Sequence, residues 1–74
     1  MSEIRIETPV TGRVWEVVKV VGDSVEPAET VLLVESMKME IPVEAPAAGT
    51  VRRVDVAVGE EITEGQVVVV IAPA

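Results

Sequence analysis

The sequence predicts an all-β protein: two four-stranded antiparallel sheets facing one another as a flattened barrel or sandwich, related by a pseudo-two-fold axis. Three observations carry this. The 74 residues are 49% hydrophobic, mostly Val, Ile, Leu and Ala, with Trp15 as the only aromatic. A valine-rich, aromatic-poor composition favours tightly packed strands. The chain also matches itself, without a gap, at an offset of 37 residues. Finally, Pro and Gly recur at matching places in the two halves, where strands should end.

The repeat orders the elements. Glu7-Thr-Pro9-Val-Thr-Gly12-Arg-Val14 aligns with Glu44-Ala-Pro46-Ala-Ala-Gly49-Thr-Val51, and the match runs on through Val17 with Val54, Val21-Gly22 with Val58-Gly59, and Val31 with Val68. In each half an apolar strand enters a Pro-x-x-Gly corner, followed by a valine-containing strand. A Gly-acid turn comes next, Gly22-Asp23 or Gly59-Glu60. A short segment at Val25 or Ile62 then leads to a strong final strand, Thr30–Glu35 or Val67–Ala72. Gly12, Gly22, Gly49 and Gly59 are read as turn positions. The quasi-repeats, about 7–35 and 44–72, are each too small to bury an apolar face alone, so they pack together as one domain over 1–74.

The stretch between the repeats must reverse. Val31 to Ala45 reads as almost continuous strand, which would extend roughly 50 Å, whereas a globule of this length is about 30 Å across. A two-residue loop at Met37-Lys38 pairs Ser36 with Met39, Glu35 with Glu40, Val34 with Ile41 and Leu32 with Val43. One face then holds Leu32, Val34, Ile41 and Val43, and the other Leu33, Glu35, Glu40 and Pro42. A one-residue slip would mix the faces, although a wider loop in the same register satisfies the pairing equally. Met-Lys is a poor choice for a tight hairpin, which favours Asn-Gly or Asp-Gly, and Glu35 opposite Glu40 is a repulsive pair. The 37-residue offset carries Lys38 back to Met1, which places the hairpin at the end of the domain opposite the termini.

Composition narrows the function. No cysteine is present for disulfides or thiolate metal sites, and the absence of His, Cys and Tyr argues against an autonomous enzyme. Six basic residues against 13 acidic give a net charge of −7. With one aromatic and no basic cluster beyond Arg52-Arg53, this argues against nucleic-acid binding and favours basic partner surfaces. No apolar run reaches the roughly 18 residues of a membrane span, and the N-terminus lacks a secretory signal, so a cytoplasmic location is expected. Only two lysines occur, Lys19 and Lys38. Lys19, aligned with Val56, is expected at the surface. Trp15, aligned with Arg52, is expected to pack, with a partner face as the alternative.

Glu35-Ser36-Met37-Lys38-Met39-Glu40, set between the repeat halves, resembles the attachment motif of biotin carrier domains, the thumbless type of the biotinyl/lipoyl family. The resemblance covers the whole chain, and the gapless repeat leaves no room for a thumb hairpin. It implies that Lys38 carries covalent biotin, placed there by a biotin protein ligase that reads Met37 and Met39, with Glu35, Ser36 and Glu40 as motif surroundings. It further implies a non-catalytic component of a multi-component carboxylase. A biotin carboxylase would load the biotin using ATP and bicarbonate, and a carboxyltransferase would pass the carboxyl group to an acceptor such as an acyl-CoA. A monomer is expected when isolated; the opening Met1 favours a free-standing product, although an excised domain could begin the same way. The alternatives are a lipoyl carrier of a 2-oxo acid dehydrogenase complex, which typically shows Asp-Lys-Ala at the tip, and an unmodified assembly barrel.

Overall fold

Eight strands account for the regular structure of residues 2–74, which the computed structural model describes. Met1, its pairing with Lys38 through the repeat and the inference from it of a free-standing product lie outside the described residues. In chain order the strands are β1 (Ile4–Glu7), β2 (Gly12–Val17), β3 (Ser24–Val25), β4 (Thr30–Ser36), β5 (Met39–Glu44), β6 (Gly49–Val54), β7 (Glu61–Ile62) and β8 (Val67–Pro73). Each strand of β1–β4 reappears 37 residues later in β5–β8, except that β5 begins two residues early.

The strands form two four-stranded antiparallel sheets, β1-β8-β6-β3 and β5-β4-β2-β7. They face each other as a sandwich and do not close into a barrel. Each half contributes two strands to each sheet, so the halves interlock instead of stacking. That arrangement suits sequences too short to cover a core alone: Val14, Leu32 and Val34 from one half meet Val51, Val69 and Ile71 from the other in a single apolar cluster. The symmetry extends to single hydrogen bonds. Gly22 N donates to Val51 O at 2.9 Å, and its counterpart Gly59 N donates to Val14 O at 2.8 Å.

Two glycine roles differ from the turn reading. Gly22 and Gly59 do take positive φ, 96° and 91°. Gly12 and Gly49, however, open strands β2 and β6, and what they require is space: a Cβ there would strike the carbonyl oxygens of Glu35 and Ala72. Trp15 also departs from expectation. It is the extra residue of a β-bulge between Val14 and Glu16, and the bulge turns it outward, leaving it 46% exposed. Its counterpart Arg52 occupies the matching bulge of β6. The edge strands differ in length. β3 and β7 have two residues each, but the edge strand β5 has six; it contains Pro42, which lacks a ladder donor.

The domain is elongated, 35 × 17 × 17 Å, with a radius of gyration of 11.2 Å. Antiparallel pairing of Ile4 with Ile71 brings the start of β1 and the end of β8 together at one end. The other end of those strands is tied across to the second sheet, where Glu64 N donates to Thr11 Oγ1 at 2.9 Å beside the start of β2 and the end of β4. The β4–β5 turn therefore projects from the end opposite the chain termini. Among the described residues no helix is long and apolar enough to cross a membrane.

Candidate functional site

The β4–β5 hairpin has the register that the face pattern requires: Ser36 with Met39, Glu35 with Glu40, Val34 with Ile41, Leu33 with Pro42 and Leu32 with Val43. Leu32, Val34 and Val43 anchor it in the core, each at most 2% exposed. Ile41 at the rim is only partly buried. The loop is the two residues Met37 and Lys38, at φ 53° and 66°. Both lie in the left-handed region, as a type I′ turn demands. For residues other than Gly, Asn or Asp this is strained by about 1 kcal/mol or more each. The turn nevertheless forms because six cross-strand pairs and the core beneath leave no other register.

The geometry brings all six motif residues to one tip. Met37 is 92% exposed and Met39 64%, so neither side chain belongs to the core. Lys38 is exposed and makes no ion pair among the described residues. Ser36 is partly buried: its Oγ donates to Thr11 O at 2.9 Å, fastening the base of the hairpin to the β1–β2 connection. Glu35 and Glu40 face one another, exposed.

Lys19 contrasts with Lys38. Its Nζ lies 2.8 Å from Glu29 Oε2, and its side chain is 22% exposed. The hydrogen bond to Glu29 raises the Lys19 pKa, and the same bond, helped by the Glu26 backbone N–H, lowers that of Glu29. Lys19 is thus a paired cation and not a free surface lysine.

Sequence reasoning missed the flank of the tip. Thr11, Arg13, Ser36, Met37 and Thr63 line a shallow open groove there, in which Arg13 pairs loosely with Glu61 at 3.6 Å and lies opposite Glu35 in register. Thr11 and Thr63 are far apart in sequence and meet only because β2 lies between β4 and β7. The repeat alone gave no sign of this neighbourhood.

The structure is a β-sandwich that lifts one lysine, unpaired among the described residues, on a strained, methionine-flanked turn, away from the start of β1 and the end of β8. The chain belongs to the biotin/lipoyl family whose description reads "Biotin-requiring enzyme"; the match covers residues 4–71, and within that family the chain is a thumbless biotinyl domain. A search of curated proteins found no match. Among solved structures it is similar to the urea carboxylase of Kluyveromyces lactis, with 33% identity over 97% of this chain and a TM-score of 0.93. It is also similar to a single-chain, multi-domain long-chain acyl-CoA carboxylase, with 26% identity over 97% of this chain and a TM-score of 0.91. The chain spans only 6% and 7% of those two proteins.

Proposed function

We propose that this domain is a biotin carboxyl carrier and that Lys38 is its attachment residue. The observation carrying the reading is the position of Lys38: exposed, without an ion-pair partner among the described residues, and at the apex of a two-residue turn with both residues at positive φ. The Lys38 ammonium gives up one proton, and its neutral Nζ then attacks the activated carboxyl group of biotin, losing a second proton to become an amide as the activating group leaves. One positive charge disappears, taking the formal net from −7 to −8. Bound biotin supplies a ring nitrogen that carries a carboxyl group between active sites. The chain's own part is mechanical: the hairpin holds the attachment point, and the long axis of the sandwich keeps it clear of whatever adjoins the termini.

The partners on this reading are a biotin protein ligase, a biotin carboxylase and a carboxyltransferase, with an acyl-CoA as acceptor. Those partner activities sit on the same polypeptide or on separate subunits, and the domain itself performs no catalysis. The site residues are Lys38 for attachment, Met37 and Met39 for recognition, and Glu35, Ser36 and Glu40 around them. The test is the intact mass after co-expression with a biotin protein ligase. A biotin-sized gain in the wild type that vanishes in Lys38→Arg is expected; no gain, or a gain that survives in Lys38→Arg, overturns the assignment.

A further inference from the structure

The two sheets share one backbone plan but present different outer faces. In β4, Leu33 points away from the core, between the core residues Leu32 and Val34. Its neighbours across the ladder are Pro42 on one side and Glu16 on the other, with Trp15 bulged beside Glu16. On the other sheet the equivalents, 37 residues away, are Val70 flanked by Arg5 and Arg53, with Arg52 in the bulge. Val70 is 0% exposed although it stands outside the core cluster. Arginine stems can cover an apolar neighbour, and Arg5 and Arg53 are the residues paired across the ladder with Val70. Arg52 is held by Glu3 at 3.1 Å and Arg53 by Asp55 at 2.6 Å. One outer face therefore carries three arginines around a fully buried Val70. The other leaves Leu33 partly exposed and Pro42 and Trp15 exposed, bordered by Glu16, Glu35 and Glu40 and by one cation, Arg13, opposite Glu35.

We infer that this second face, centred on Trp15, Leu33 and Pro42, docks the enzyme that attaches biotin to Lys38, and that the enzyme meets it with an apolar surface ringed by Lys and Arg. The inference rests on the carrier reading above. Three arguments select this occupant. The unmodified amine extends only the length of a four-carbon stem, so the attaching enzyme must seat itself against the hairpin. The Leu33–Pro42 pair lies three ladder steps, about 10 Å, behind Ser36–Met39, well inside the footprint of an ordinary interface. The border, three acids to one arginine, complements a basic rim and steers its approach, while tryptophan is enriched among interface hot spots. A second copy of this chain fits less well: its arginine face has the charge, but Val70 is sealed, so no apolar surface is offered to Trp15.

The test is steady-state biotinylation of the intact domain by a biotin protein ligase, comparing wild type with Trp15→Arg, which installs the residue of the other sheet. Thr50→Arg adds the same charge to the opposite outer face as a control, and Trp15→Phe tests rescue. For Trp15→Arg, KM should rise about 10- to 30-fold with kcat within about a factor of two. Thr50→Arg should stay near wild type and Trp15→Phe should recover most of the loss. Circular dichroism establishes that each variant is folded. An unchanged KM in Trp15→Arg, or an equal rise in Thr50→Arg, overturns the docking face while the wild type's own modification upholds the carrier. A wild type that accepts no biotin overturns both.

Discussion

Lys19 and Glu29 are bound to each other at 2.8 Å, which leaves Lys38 as the one lysine with a free amine among the described residues. The pair joins the connection after β2 to the turn before β4, where Glu29 Oε1 also accepts from Glu26 N at 2.9 Å. Two lysines of the same intrinsic chemistry are thus separated by their surroundings: one is a paired cation, the other stands exposed and unpaired at a tip.

The pair gives stability a pH signature. The Glu29 pKa lies below its ordinary 4.5, so its contribution is present above that value and is lost as pH falls through the lower, folded value. The Lys19 pKa lies above its ordinary 10.5, so its contribution is complete below that value and is lost as pH rises through the higher one. Unfolding free energies of wild type and Glu29→Gln should differ between these limits and converge in acid. A gap that stays constant to the lowest pH at which the protein folds would sink the assignment.

The turn strain is also measurable. Asn tolerates the left-handed region far better than Met. Met37→Asn should therefore raise the unfolding free energy by up to about 1 kcal/mol, or several degrees in Tm for a domain of this size. Its biotinylation should become slower, because a side chain available for recognition is lost. A Met37→Asn protein that is both less stable and modified normally would contradict this account of the tip.

Gly12 and Gly49 should be intolerant of any side chain. Alanine at either position drives a Cβ into the carbonyl of Glu35 or Ala72, forcing β2 from β4 or β6 from β8. A loss of about 1–3 kcal/mol is expected in urea unfolding for each. Gly12→Ala should in addition disturb the hairpin, since Glu35 begins its exposed end. Equal tolerance of alanine at both sites would show that the strands can separate at little cost.

The turn before β4 offers the opposite substitution. Ala28 takes φ 68°, where its repeat counterpart Gly65 takes 88°. Ala28→Gly should stabilise the domain by about 0.5–1 kcal/mol, and Gly65→Ala should destabilise it by a similar amount or more. Thermal unfolding of the two variants checks the pair, and the same sign for both would refute it.

Much of this domain could be read without a structure. Alternation of apolar and polar residues from Leu32 to Val43 permits one register, since a slip by one would bury Glu35 or Glu40. The length of that run then requires a reversal, and the repeat sets where the other strands lie. These are local constraints, legible because side chains on a strand alternate faces with a fixed period. What only the tertiary structure decided depends on which strands become neighbours. The halves exchange strands across two open sheets, so Gly12 meets the Glu35 carbonyl and becomes a close-approach glycine instead of a turn. The bulge at Trp15 sends the one aromatic outward, which an alignment to Arg52 could not show. Lys19 finds Glu29, and Thr11 finds both Ser36 and Glu64. Each depends on contacts between distant segments, which pattern along one strand does not encode. The sequence determined which lysine the chain presents, and the packing of the two halves determined what surrounds it.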